Sequence, residues 1–331
     1  MSFSLLLLSL LFQPVDTPIV HDPVMAHEGN LWHLYCTGRG ITHFTSPDLQ
    51  TWVMDTSTVL KPIPQWAHDS VPDFKQEVWA PDILRWHGRW WLSYACSSFG
   101  RNTSAIGLAS SPVLSNASWT DHGCIISSQG GRDNWNAIDP NIIIDQQDHP
   151  WLVFGSFWDG IQLIPLNDSL HVPAGLQPTT IARRWDVSNK STHTTRDSLD
   201  AGTNAIEAPF IFHHGNYYYL FVSWDYCCQG MKSTYRVVYG RSRHMEGPYL
   251  DRTGKDMLIG GGTVLLEGDK QQYEAVGHCA VYPHPTDTDK ALFICHGYSV
   301  PLQGIPILVK RTLSFTPDEW ITMDEPSFPK R

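Results

Sequence analysis

No Cys-x-x-Cys pair, His-Glu-x-x-His motif or EF-hand loop occurs in this chain, which argues against zinc or calcium sites of the standard kinds. Gly260-Gly261-Gly262 lacks the Lys-Ser/Thr that completes a phosphate loop and reads as a turn. Gly155-Ser156-Phe157 lacks the second glycine of a nucleophile elbow. Basic residues are few: 23 Lys and Arg stand against 33 Asp and Glu, a formal charge of −10. With no Lys/Arg cluster, neither nucleic acid nor an anionic membrane is an expected partner. Long apolar runs are missing too. Residues 5–12 form the one markedly apolar terminal stretch, too short to span a bilayer. The stretch resembles the core of a secretory signal, but no basic residue precedes it and no clear small-x-small cleavage site follows. Residues 1–16 therefore read as an atypical signal-like segment and 17–331 as one domain, expected to be secreted.

No long stretch carries a capped 3.6-residue apolar period, and what remains is a repeat of short strands. Three blocks, His21-Asp22-Pro23-Val24, Ile138-Asp139-Pro140-Asn141 and Ile206-Glu207-Ala208-Pro209, each join a carboxylate to proline and an apolar run. Aromatic runs follow at 31–35, 89–94, 151–158, 217–224 and 291–298, then runs of small and β-branched residues at 41–46, 105–110, 161–166, 237–242 and 307–312. The units begin near Asp22, Trp79, Asp139, Glu207 and His278, a spacing of roughly 60–70 residues that suits four strands with long loops. Five units fit, predicting an all-β fold, a five-bladed β-propeller. A pair of β-sandwiches is the competing architecture; one repeat running across any midpoint boundary tells against it.

In a propeller the first strand of each blade lines the central channel, so Asp22, Asp139 and Glu207 should meet at one mouth, with Trp79 and His278 in the remaining two blades. Each acid alone could be a turn carboxylate bonded to backbone N–H groups. Their recurrence points instead to acid–base chemistry, because clustered carboxylates resist joint ionisation and at least one pKa should rise. The 14 tryptophans pack propeller blades and also suit the apolar faces of sugars. Sequons at Asn102, Asn116, Asn167 and Asn189 are compatible with secretion. Seven cysteines leave at least one unpaired, and adjacent Cys227-Cys228 either form a vicinal disulfide or stay reduced or separately paired.

These blocks, with Trp79-Ala80-Pro81-Asp82, Ser98-Phe99-Gly100, Phe154-Gly155-Ser156-Phe157-Trp158, Cys227-Cys228, Ser233-Thr234-Tyr235 and Gly240-Arg241-Ser242, resemble family-43 glycoside hydrolases, most of all arabinan endo-1,5-α-L-arabinosidases. The resemblance runs from about residue 19 to the last unit. It implies a five-bladed propeller and inverting hydrolysis of α-1,5-linked L-arabinofuranose chains, the arabinan side chains of pectin. In it Asp22 would be the general base, Glu207 the general acid, and Asp139 the residue that orients Glu207 and raises its pKa. Trp79, Phe99, Ser156 and Trp158 would bind the sugar. His278 matches a channel histidine near a bound ion, often calcium, although Cys279 stands where asparagine is usual. Such an ion would be structural or electrostatic, and no organic cofactor is expected. Arabinan or an arabino-oligosaccharide is the expected partner. Exo-acting arabinofuranosidases and β-xylosidases share the scaffold, and a non-catalytic sugar-binding propeller is the alternative of another class. Residues 174–204, the least patterned stretch, would cover or frame the cleft.

Overall fold

In the computed structural model, residues 14–56, 59–188, 196–197 and 199–324 are described. The signal-like run at 5–12 and the sequon at Asn189 lie outside them. The segments rich in Val, Ile, Tyr, Trp and Phe are strands, as their β-branched and aromatic content favours, and they form five sheets, each an antiparallel meander. The first is Val24–Glu28, Leu31–Cys36, Thr42–Ser46 and Val53–Asp55; the second is Glu77–Trp86, Arg89–Cys96, Ser104–Ser111 and Thr120–Ser128, with Gly38–Arg39 beside its first strand. Asn141–Ile144, Pro150–Phe154, Ile161–Pro165 and Thr179–Ala182 form the third. The fourth is Ile206–His214, Tyr217–Trp224, Arg236–Ser242 and Thr263–Leu266, and the fifth Tyr273–Pro283, Lys290–Ser299, Ile305–Phe315 and Ile321–Met323. The sheets are the blades of a five-bladed β-propeller. A single α-helix among the described residues, Gln65–Ser70, interrupts the connection from the first blade to the second.

Aromatic side chains fill the space within and between blades: Tyr35, Trp52, Tyr94, Phe154, Tyr219, Phe221, Tyr239 and Phe293 are fully buried, each burial worth about 1.5–3 kcal/mol against exposure. Hydrogen bonds near the axis run from each blade to the one before it. Asp22 N–H donates to His296 Nδ1, Ala80 N–H to Thr37 Oγ1, Ala208 N–H to Asp139 Oδ2 and His278 N–H to Ser223 Oγ. A second tier lies just below, where Met25, Ile142 and Ile211 N–H donate to Tyr282 Oη, Asp82 Oδ2 and Asn141 Oδ1. These side chains, buried or half-buried, accept backbone N–H groups of the neighbouring blade. The ring is closed by the N-terminal segment: Ile19 bridges to Ile307, Val20 N–H donates to Pro306 O, and Leu308 N–H to Pro18 O. Of the sequons, Asn102 is fully buried, with its amide donated to the Asp133 and Trp135 carbonyls, so it offers no glycan acceptor in the folded chain.

Candidate active site

Backbone torsions identify the equivalent residue in every blade. Asp22, Ala80, Asp139, Ala208 and His278 have φ of 54°, 45°, 56°, 55° and 52°, and in four of the five the next residue is proline. Non-glycine residues rarely hold this left-handed conformation, and such strain is concentrated at functional sites. The expected register is thus corrected by one residue in two blades, since Trp79 and Glu207 precede the axial residue. Asp22, Asp139 and His278 do share the axial position. Glu207 shares the preceding one with His21, Trp79, Ile138 and Gly277.

Asp22 is buried and held on three sides. Its Oδ1 lies 2.9 Å from His21 Nδ1 and 3.0 Å from His278 Nδ1, and its Oδ2 accepts the Thr37 hydroxyl at 2.5 Å. Burial alone would push this carboxyl up, but His21 and His278 outweigh it and hold the group well below the usual carboxylate range. His278 answers in kind: burial favours its neutral form, yet Asp22, then Asp139 and Glu207, raise it to about 9, so it is an imidazolium at neutral pH. His296, fully buried, accepts Asp22 N–H through Nδ1 at 3.1 Å. Burial keeps that ring neutral, its proton on Nε2, where no partner is found among the described residues.

Glu207 lies across the mouth, where its Oε2 accepts the Ser156 hydroxyl at 2.7 Å. Burial raises its pKa, with Asp22's charge pushing the same way, against hydrogen bonds from Ser156 and Tyr235 and the charge of His278. Asp139 is pushed up to about 8, first by burial and then by the charges of Glu207 and Asp22, although His278 and the Ala208 N–H oppose this. Burial is the first cause of both shifts, and the charge of Glu207 is among those that raise Asp139. What Asp139 does is grip the backbone N–H of the residue after Glu207, at 3.1 Å. Gly277 makes room for Tyr235, since a Cβ there would lie 1.9 Å from the Tyr235 ring.

The protein offers few oxygen donors for the calcium expected near His278. One His278 nitrogen is committed to Asp22, and the metal-spaced group among the described residues is His21, Asp22 and His296, two imidazoles and one carboxylate. Calcium takes six to eight oxygens. This set supplies a single carboxylate, so water would have to complete a calcium shell here.

The expected sugar-binding residues divide. Trp79 is half-buried and pairs with Ala95, while Phe99, 79% exposed, lies in the turn just beyond that strand. Ser156 is buried against Glu207. Trp158 is only 2% exposed, and its indole N–H donates to the Asp197 carbonyl, so its ring belongs to the core. The accessible aromatic of this segment is Phe157, with its ring centroid 5.7 Å from that of exposed Tyr226. Sequence reasoning also missed Thr37, His296, Tyr235 and Tyr298 as neighbours of the acids. Cys227 and Cys228 are joined in a vicinal disulfide, and the other five cysteines are free thiols.

Two buried carboxyls, differently tuned and close enough for the charge of one to raise the other, suit cleavage of a glycosidic bond. Residues 12–321 match Glycosyl hydrolases family 43, and the chain belongs to that family. It is 42% identical over 314 residues to the extracellular exo-α-(1→5)-L-arabinofuranosidase ArbA of Cellvibrio japonicus, covering 92% of this chain and 86% of that protein. To the extracellular endo-α-(1→5)-L-arabinanase 1 of Bacillus subtilis it is 39% identical over 309 residues, covering 92% of this chain and 88% of the other. The solved α-L-arabinanase of Cellvibrio cellulosa, complexed with arabinohexaose, superposes with a TM-score of 0.85 at 39% identity, covering 93% and 96% of the two chains.

Proposed function

We propose that this glycosidase hydrolyses α-1,5-linked L-arabinofuranose chains of arabinan by inversion, attacking within the chain. The observation that carries the reading is the opposite tuning of two carboxyls at one mouth: Asp22 is held ionised and Glu207 is biased towards its acid form. Asp22 takes a proton from water as the water attacks the anomeric carbon, and Glu207 gives its proton to the departing glycosidic oxygen. The Ala208 N–H bond to Asp139 fixes the backbone beside Glu207, making Asp139 a positioning residue. Trp79, Phe99 and Phe157 offer aromatic faces to the sugars. The relatives named as arabinan-cleaving support the substrate, and those named extracellular support secretion.

Exo action is a second reading, because the relative named exo-acting is 42% identical and the one named endo-acting 39%. Digestion of debranched arabinan separates the two: mixed oligomers mark endo attack, and one fixed product marks exo attack. Release from a xyloside and not from arabinan would favour a β-xylosidase, and no release from either a sugar-binding propeller. Proton NMR of the first product should find β-configured arabinose; initial α-product would exclude inversion.

A further inference from the structure

The vicinal disulfide lies one hydrogen-bonded chain away from the base. Cys227 and Cys228 sit between the second and third strands of the fourth blade, the blade of Glu207. Cys228 N–H donates to Tyr298 Oη at 2.7 Å, Tyr298 Oη lies 2.9 Å from His21 Nε2, and His21 Nδ1 lies 2.9 Å from Asp22 Oδ1. An amide N–H can only donate, so the Tyr298 hydroxyl accepts it and is free to donate to His21 Nε2. That puts the His21 proton on Nδ1, aimed at the carboxylate. The chain thus runs from the fourth blade through the fifth to the first.

Two further observations tie the disulfide to this path. Cys228 Sγ lies 3.9 Å from His21 Nε2, and Cys227 packs against the cluster of Tyr235, Ala275 and Tyr298. Cys228 also has a left-handed backbone, φ 65°, a conformation uncommon for non-glycine residues.

We propose that the Cys227–Cys228 disulfide is a positioning element for catalysis, holding Tyr298 and His21 so that His21 presents its Nδ1 proton to Asp22. The proposal rests on Asp22 being the general base. Opening the disulfide releases the Cys228 backbone, withdraws its N–H from Tyr298, and leaves His21 free to turn from the carboxylate.

The test uses a Cys227→Ser/Cys228→Ser double variant and Tyr298→Phe, alongside wild type treated with dithiothreitol. In that treatment the dithiol gives two electrons and two protons to the S–S bond, forming two thiols and its own cyclic disulfide. It acts on one bond, since the remaining cysteines are free. Both variants should lose about tenfold or more in kcat on debranched arabinan, with little change in KM, as expected for a displaced reacting group. The acidic limb of their pH–rate profiles should move to higher pH, because Asp22 loses a donor. Reduced wild type should lose activity in step with alkylation at Cys227 and Cys228, regain it on reoxidation, and give a changed ¹⁵N resonance for His21, assigned by its loss in His21→Gln. The double variant should be indifferent to dithiothreitol. Full alkylation of both thiols with kcat, the acidic limb and the His21 resonance unmoved would overturn the proposal, as would insensitivity of Tyr298→Phe. A wild type inactive on arabinan counts against the enzyme reading alone, because the His21 resonance still reports whether the disulfide governs that ring.

Discussion

His278 Nδ1 lies 3.0 Å from Asp22 Oδ1, and each residue holds the other in its charged form. With His21, the larger influence, this pairing explains how a buried carboxylate beside two further acids stays ionised. Replacing His278 with glutamine removes the cation, so the pKa of Asp22 should rise and the acidic limb of kcat/KM should shift to higher pH. A pH–rate profile with an unmoved acidic limb would show that the ion pair does not set the base.

Loss of either reacting carboxyl should be severe. Glu207→Gln and Asp22→Asn are each expected to lower kcat by more than about 100-fold, while circular dichroism and thermal unfolding report a folded propeller. An aryl arabinofuranoside with a good leaving group should partly restore turnover in Glu207→Gln and not in Asp22→Asn, since only the first lacks the proton donor. Equal rescue of both variants would contradict the assignment.

Tyr235 opposes the protonation of Glu207 by hydrogen-bonding its charged form. In Tyr235→Phe the acid should therefore hold its proton to higher pH, carrying the basic limb of the profile upward. A downward shift would mean that Tyr235 acts on the protonated acid instead.

Phe157 and Trp158 should behave oppositely despite being adjacent. Phe157→Ala is expected to raise KM for arabino-oligosaccharides with little change in thermal stability. Trp158→Ala empties a core site and should cost about 3–5 kcal/mol of folding stability. Denaturant titration and Michaelis kinetics together distinguish these outcomes, and a KM effect confined to Trp158→Ala would return the sugar contact to that residue.

Stability should fall in acid for a reason far from the active site. His33 Nδ1 and His43 Nε2 are 3.0 Å apart in the first blade, and both rings are buried. Burial and the neighbouring His43 lower the His33 pKa from 6.5 to about 4. The unfolded chain binds this proton below about pH 6.5 and the folded one resists until about pH 4, so stability is full above that window and declines as pH falls through it. Urea midpoints between pH 7 and 4 measure the slope. His33→Leu should flatten it; an unchanged slope would assign acid sensitivity to other groups.

Much of this architecture was legible because strand periodicity survives in short apolar runs: the segment read at 217–224 matches strand Tyr217–Trp224 at both ends. The register error at Glu207 arose from aligning carboxylate to carboxylate, and that at Trp79 from aligning on the large side chain, when the backbone aligns on the residue before proline. Pro23, Pro81, Pro140 and Pro209 carried that signal. Trp158 was expected at the sugar through the family resemblance alone; alternation could not place it, because Phe157 and Trp158 both have positive φ, 53° and 39°, and the inward–outward pattern breaks there. His296 and Tyr298 lie more than 270 residues from the His21-Asp22 pair they touch, a separation at which only the closed ring brings side chains together.

The clasp between Pro18–Val20 and Pro306–Leu308 also sets how much of the amino terminus the fold needs. Removing Pro18 would release the Leu308 N–H from its carbonyl, and removing Val20 as well would release the Pro306 carbonyl, loosening the chain that leads directly to Asp22. The shortest chain that can still hold its base is thus set by how the circle is fastened.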